Sequence, residues 1–127
     1  MGPFSAMLIG LSAGALSYLA IAWKGKLGYD DSLDVVGIHA VGGTLGILAV
    51  GLFASKGVNP AGAAGLFYGN PGLLGIQVLT ALTTALFSFV GTYLILKLVN
   101  RVVGLRVSSD EERMGLDLSQ HNERAYS

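Results

Sequence analysis

Three long apolar runs limit what this chain can fold into. Residues 3–23 and 72–96 contain no charged side chain, and residues 35–55 contain a single ionisable one, His39. A helix that crosses a bilayer needs about 20 mainly apolar residues. Each run is long enough, so the sequence predicts an all-α integral membrane protein with three transmembrane helices. The predicted spans are residues 3–23, 33–55 and 72–103.

The composition fits a membrane protein and disfavours several other classes. Hydrophobic residues make up 52% of the chain and charged residues 13%, whereas soluble domains carry about 25% charged residues. A buried soluble core seldom contains three such runs in 127 residues. The formal net charge of zero gives no footprint for nucleic acid, and the lack of cysteine excludes disulfides and thiolate metal sites. Nor does the start read as a signal peptide.

The third run is longer than a bilayer requires. Counted to Val103, with Lys97 and Arg101 extending toward the interface, it would be about 45 Å long at 1.5 Å per residue. The hydrocarbon core is about 30 Å thick. We therefore expect this helix to tilt or to protrude.

The distribution of basic residues indicates an orientation. Lys24 and Lys26 lie in the first connection, Arg101 and Arg106 follow the third run, and Lys56 is the only charge between the second and third runs. Because positive charges favour the cytoplasmic side, we expect the first connection and the C-terminus to face the cytoplasm. The second connection, "NPAGAAGLFYGNPG", then faces outward, and its composition is that of turns.

The chain changes character at Val107, which divides it into a membrane part, residues 1–106, and a polar tail, residues 107–127. Within "SSDEER", Ser108 or Ser109 can cap a helix whose first turn is acidic, which the helix dipole favours. The alternative is an unstructured, solvated tail.

Glycines surround His39 along the second run. Gly42, Gly43 and Gly46 follow it by three, four and seven residues, which places them near one face of an α-helix. Gly42 and Gly46 form a GxxxG pair, and Gly10 and Gly14 repeat that spacing in the first run. Such pairs allow close helix packing in lipid. We therefore expect His39 to face protein.

An ionisable residue inside a span is by default a functional-site hypothesis, because the bilayer penalises it. Neutral imidazole both donates and accepts hydrogen bonds and titrates near pH 6.5. His39 could thus coordinate a metal, relay a proton, hold a small polar solute, or serve only a structural hydrogen bond. A metal is disfavoured, since the second histidine, His121, lies in the tail. Nearby, Asp31 or Asp34 can cap the second helix.

Two stretches resemble the ammonium transporter family. "GYDDSLDVVGIHAVGG" with "LGILAVGLFAS" is similar to its penultimate membrane helix, and "VGLRV…DEERMGLDLSQHNERAY" is similar to its C-terminal tail. The resemblance covers essentially the whole chain. It implies an eleven-helix fold built from an inverted five-plus-five repeat and a last long helix, assembled as a homotrimer with one pore per subunit. This chain would then be a C-terminal portion with helices nine to eleven, inactive alone.

The resemblance also implies roles for particular residues. His39 takes the place of the second of two paired pore histidines, which receive ammonia after ammonium loses its proton. Asp31 and Asp34 match acids near the cytoplasmic mouth, where capping and electrostatic help to a cation are both implied. The first pore histidine, the external aromatic cation site and the phenylalanine gate of the family are absent from these residues. No cofactor or metal is implied, and the substrate is ammonium or ammonia.

The tail matches the family pattern at Gly115, Leu116, Asp117 and His121, and Ser119 lies where some plant relatives carry a phosphorylatable threonine. The resemblance implies that this tail packs on the cytoplasmic face and influences the pore. In many bacteria a PII-type signal protein docks there. Asn122 and Ala40 depart from the family, which often has glycine at both positions.

Other interpretations stay open on the sequence alone. A Rhesus-type ammonia channel is disfavoured by "GLDLSQH", and an ammonium sensor by the lack of an added signalling domain before Ser127. A purely structural membrane protein is the remaining alternative. An enzyme has no support, because the sequence offers no nucleophile with a base, no phosphate loop and no carboxylate pair in a site.

Overall fold

The computed structural model describes residues 1–124, and this part of the chain is helical without any strand. The last three residues of the predicted tail, 125–127, lie outside the described range. The helices are α1 (Pro3–Leu27), a π-helical turn (Val36–Val41) that continues into α2 (Gly42–Phe53), a 3₁₀ turn (Leu66–Tyr68), α3 (Pro71–Val102), α4 (Ser109–Met114) and α5 (Leu116–His121).

Three helices are long and apolar enough to cross a membrane: α1, the combined helix Val36–Phe53, and α3. This confirms the three predicted spans by length and composition, with ends that differ by up to four residues. The chain forms two compact units, Met1–Ala85 and the part from Leu86 onward, and α3 contributes to both.

The first helix continues beyond the predicted end at Trp23. Lys24 and Lys26 lie in its last turn, where the negative end of the helix dipole favours cations. The helix ends at Gly28, which has φ of 70° and donates its N–H to the Lys24 carbonyl at 3.1 Å. The length of the apolar run therefore underestimates the length of this helix, because the last turn is polar but still helical.

Small residues are found where the second helix packs on its neighbours: Gly37 lies against Ile21 of α1, and Gly51 lies against Leu74 of α3. Gly37, Ala49 and Gly51 are buried, and Ala49 is the only buried hydrophobic residue with a side chain in the described part of the chain. Large apolar side chains point outward instead. Small residues let helix backbones approach closely where lipid offers no hydrophobic drive for association. The exposed apolar surface is what a bilayer or further helices would cover.

The connection after α2 folds back onto the end of that helix. Gly65 is buried and donates its N–H to the Ala54 carbonyl at 2.8 Å. The rings of Phe53 and Phe67 lie 5.0 Å apart, tilted by 52°. Gly69, with φ of 85°, ends the 3₁₀ turn just before α3. The composition of this connection predicted turns, and the structure has turns there with one short 3₁₀ segment.

The tail contains two short helices, so the predicted helix start in "SSDEER" is confirmed and Ser108 is the cap. The Ser108 hydroxyl accepts from the Glu111 N–H, while the Glu111 carboxylate accepts from the Ser108 N–H at 2.9 Å. The Ser108 hydroxyl and N–H together lower the pKa of the Glu111 carboxyl below its ordinary value. Gly115, with φ of 94°, separates α4 from α5.

We predict that Gly65→Ala lowers the free energy of unfolding by about 1–3 kcal/mol, the usual range for overpacking. An added Cβ would lie 2.7 Å from the Leu52 carbonyl oxygen and 2.8 Å from that of Gly51. These are backbone atoms and cannot rotate away. The matched control is Gly57→Ala in the same connection, where the nearest atom is 3.5 Å away. Denaturant unfolding in detergent measures both variants, and equal stability of the two would contradict the prediction.

We predict that capping of α4 weakens in acid. Because the pKa of Glu111 is lowered in the folded tail, its contribution is complete above the ordinary glutamate pKa. That contribution is lost as the pH falls through the lower, folded pKa. The amide NMR signal of Ser108 should report this titration, and Glu111→Gln should abolish it. Glu112→Gln, one residue further on, should leave the titration in place, and an identical effect of both variants would refute the assignment.

Candidate substrate-pathway site

His39 lies in the middle of the π-helical turn Val36–Val41, within a helix apolar enough to cross a membrane. Its side chain is exposed on the described chain. It forms no hydrogen bond or ion pair with any residue in the range 1–124. In the same range no group of three His, Cys, Asp or Glu side chains comes together in a way that could hold a metal ion. The imidazole is therefore free to donate and accept hydrogen bonds toward other groups.

Sequence reasoning missed the π-helical turn. A π-helix pairs residues five apart, is rare, and occurs mostly as single turns inside α-helices, frequently at functional sites. Nothing in "VGIHAV" distinguishes these residues from an α-helical run. The predicted common face of His39, Gly42, Gly43 and Gly46 assumed 3.6 residues per turn throughout. That spacing does not hold across the junction at Val41, where the π-turn ends and α2 begins.

The carboxylate of Asp31 caps the start of this helix. One of its oxygens accepts from the Val35 N–H and the other from the Val36 N–H, both at 2.9 Å. These amides belong to the first turn, which has no intrahelical partner for its N–H groups. A carboxylate is also favoured there by the helix dipole. Of the two acids predicted as candidates for capping, Asp31 makes these bonds.

Asp34 has a different partner. Its carboxylate forms an ion pair with the Lys24 ammonium, and the same ammonium donates to the Asp31 carbonyl oxygen at 2.7 Å. The two side chains are 24% and 33% exposed. From the sequence, Lys24 served only as an indicator of orientation. The sequence does contain a signal for this ion pair. Lys24 and Asp34 have opposite charges and are ten residues apart, across a connection short enough for the helix ends to meet.

The bonding of both acids affects what they can do chemically. Each carboxylate already accepts hydrogen bonds or an ion pair from within the chain, so neither Asp31 nor Asp34 presents an unengaged negative charge. Their contribution at this end of the helix is to hold the backbone. An apolar groove of about 450 Å³ lies next to this segment. It is lined by Leu16 of α1 and by residues that come after His39, among them Ala40, Val41 and Thr44. This groove therefore begins at the residue after His39 and lies between the second helix and α1.

The predicted packing glycines occupy two kinds of position. A Cβ added to Gly42 would lie 3.5 Å from the Ser17 hydroxyl of α1, an ordinary contact. Added to Gly10, Gly14, Gly43 or Gly46, it would meet no atom within 4 Å among the described residues. Close packing at these four glycines is therefore not made between α1 and the second helix. The glycine that sequence reasoning missed is Gly37, whose added Cβ would be 2.7 Å from the Ile21 side chain.

The predicted tail residues lie together around one bend. Gly115 joins the two short helices, and Leu116 and Asp117 begin α5. The Ser119 hydroxyl donates to the Gly115 carbonyl oxygen at 2.9 Å, while His121 is exposed at the end of α5. Asn122 has φ of 52°, which explains how it replaces the expected glycine, since asparagine tolerates the left-handed region.

Comparison with known proteins identifies the family. The sequence profile of the Ammonium Transporter Family matches residues 1–126. The chain is 45% identical over 125 residues to an ammonium transporter of Bacillus subtilis, covering 98% of this chain and 31% of that protein. It is 49% identical over 121 residues to ammonium transporter Amt1 of Archaeoglobus fulgidus, covering 95% of this chain and 30% of that protein.

A third relative, ammonium transporter 1 of Dictyostelium discoideum, is 41% identical over 119 residues, covering 93% of this chain and 26% of that protein. The chain therefore spans about a third or less of the length of these curated relatives. The match extends over all three apolar helices and the tail, and it includes the segment that carries His39. This chain belongs to the ammonium transporter family.

Proposed function

We propose that the complete protein containing this chain transports ammonium or ammonia across the cell membrane, with His39 on the substrate pathway. The observation that carries the proposal is an imidazole without a partner in residues 1–124, set on a π-helical turn of a membrane helix. The family match over residues 1–126 supplies the substrate class. A purely structural role would favour an imidazole bonded to a neighbouring helix.

The charge of the solute decides how costly its passage through the bilayer is. A bare cation is costly to place in hydrocarbon, whereas neutral ammonia carries no net charge. An imidazole in an apolar passage can accept a proton or a hydrogen bond and donate another. His39 would act as the second of two pore histidines, and the first would come from a part of the protein outside this chain. Alone, this chain would therefore not transport.

We propose that the chain is the C-terminal portion of an eleven-helix transporter, namely its last three spans and its regulatory tail. Its share of the relatives' length supports this, as does the order of the two family motifs. The basic residues Lys24, Lys26, Arg101 and Arg106 support a cytoplasmic first connection and C-terminus. Gly10, Gly14, Gly43 and Gly46, open on this chain, would pack against other spans or subunits.

The proposed assembly is a homotrimer embedded in membrane lipid, with the tail on the cytoplasmic face. The bend around Gly115 would present Leu116, Asp117, Ser119 and His121 to a neighbouring subunit or to a PII-type signal protein. Support for this part comes from the resemblance of the tail and from its compact pair of helices.

We predict that His39→Ala in the complete protein lowers the rate of ammonium uptake by about 10²-fold, the scale of losing a proton-transferring group. Uptake is measured in proteoliposomes at matched protein content. The control is Ile38→Leu on the same turn, which changes shape but no polar group, and it should keep near-normal uptake. Full uptake by a correctly folded His39→Ala protein would reduce this histidine to a structural residue.

We predict that the coding DNA upstream of Met1 stays open in frame and encodes further apolar spans with another intramembrane histidine. Sequencing the genomic locus tests this directly. A ribosome-binding site and true start at Met1 would contradict the C-terminal assignment. Transport would then require a partner subunit, and the proposed pathway role of His39 would have to be tested in that assembly.

A further inference from the structure

We infer that Lys24 and Asp34 are positioning residues for His39, acting through an ion pair that ties the end of α1 to the start of the π-helical turn. The inference rests on the proposed pathway role of His39, but its structural part stands on contacts made within residues 1–85. In the sequence, Lys24 indicated only the orientation of the chain in the membrane. Here we give it a second role, in which it affects His39 through Asp34 without touching the histidine.

The Lys24 ammonium bridges two points of the connection. It pairs with the Asp34 carboxylate and donates to the Asp31 carbonyl oxygen at 2.7 Å. The Asp34 N–H in turn donates to that same Asp31 carbonyl at 3.1 Å. The carbonyl of Asp31 thus receives both a side-chain and a backbone donor. This arrangement closes a tight turn over residues 31–34 and anchors it to the last turn of α1.

Asp34 has a backbone conformation that needs support. Its φ of 57° lies in the left-handed region, which costs an L-residue energy and persists only where the surroundings hold it. Asp and Asn pay less than most residues in this region. The Lys24 ammonium holds the Asp34 side chain, and the Asp34 carbonyl accepts the Ile38 N–H at 2.9 Å. Asp34 therefore connects the ion pair directly to the residue before His39.

The π-helical turn begins where this anchored segment ends. Asp31 caps Val35 and Val36, and Gly37 packs so closely on Ile21 that an added Cβ would lie 2.7 Å from it. The turn is consequently held on α1 by a polar contact before it and by a glycine contact within it. Each residue added to or removed from a helical turn rotates the remainder of the helix by about 100°. Loss of the anchor would let the turn relax toward α-helix and change the direction of the imidazole.

Partial burial makes the ion pair suited to this task. Ion pairs between fully exposed side chains contribute little, because water screens them and side-chain entropy opposes them. Here both side chains are no more than a third exposed, and the ammonium has a second acceptor. The other ion pair in the described range, Arg106 with Glu112, is far more exposed, at 78% and 56%. The pair at the α1 junction is therefore the one suited to fixing geometry.

The test is a double-mutant cycle in the complete protein, reconstituted in proteoliposomes. Asp34→Asn keeps the size and the tolerance for a left-handed backbone but removes the charge, and Lys24→Met keeps the length of the stem. Matched controls are Asp30→Asn and Lys26→Met, which remove the same charges from neighbouring residues without an ion pair in the range 1–124. The readouts are the maximal ammonium uptake rate, the half-saturating concentration, and the ¹⁵N NMR signals of the His39 imidazole.

We expect each single variant to lower the maximal uptake rate at least fivefold and to shift the His39 signals, while both controls leave rate and signals unchanged. Because Lys24→Met already removes both the ion pair and the bond to the Asp31 carbonyl, the double variant should be no worse than Lys24→Met alone. Additive losses, or losses that only follow a fall in folded protein with unchanged His39 signals, would overturn the inference. If the single variants do not fold, recovery of assembly in the double variant supports the pair, and failure to recover overturns it.

The two proposals fail in different ways. If the unaltered protein takes up no ammonium, or His39→Ala has no effect, the pathway role fails, yet a shift of the His39 signals in Asp34→Asn still supports the anchor. If His39→Ala abolishes uptake but Asp34→Asn and Lys24→Met change neither rate nor signals, the anchor fails and the pathway role stands.

Discussion

The structure depends on the need of every backbone polar group for a partner inside hydrocarbon, where water supplies none. Helices meet that need internally, and α1, Val36–Phe53 and α3 are the three in the described range long and apolar enough to span a membrane. The difficulty lies at their ends, where four N–H groups and four carbonyls stay unpaired. At the junction of α1 with the second helix, the Gly28 N–H donates to the Lys24 carbonyl, and the Asp31 carboxylate accepts from the first N–H groups of the second helix.

At the same junction, charged side chains bond to one another and to the backbone of the connection. Lys24 pairs with the Asp34 carboxylate and donates to the Asp31 carbonyl, while the Asp31 carboxylate accepts backbone N–H groups, so each of these charges has a partner within one short connection. His39, five residues beyond Asp34, makes no such bond in the described range. The contrast is between carboxylates that bond to the helix end and an imidazole without a partner in this range, which is the residue proposed to meet a solute.

Much of the fold could be predicted from the sequence, because hydrophobicity alone decides which segments enter a bilayer. The three spans and the Ser108 cap of α4 follow from local composition, which acts within one turn. The π-helical turn could not be predicted, because nothing in its residues departs from an α-helical run. The Lys24–Asp34 pair was missed although both charges are visible in the sequence, because periodicity within one helix does not pair residues across a connection. The same limit applies to glycines. Gly37 and Gly51 make close approaches without a GxxxG pattern, whereas Gly10 and Gly14 have the pattern and make none in this range.

The position of His39 can be understood from these constraints together. A π-turn is rare within helices, and an uncommon backbone conformation persists only where the surroundings determine it. The turn that contains Asp31 and Asp34 precedes the π-turn and is bonded to α1. Within the π-turn itself, Gly37 packs closely on α1. The π-turn is therefore held in place by residues other than His39. His39 gains a fixed position from its helix while its ring nitrogens make no hydrogen bond in residues 1–124, and the proposed role in handling a proton requires both.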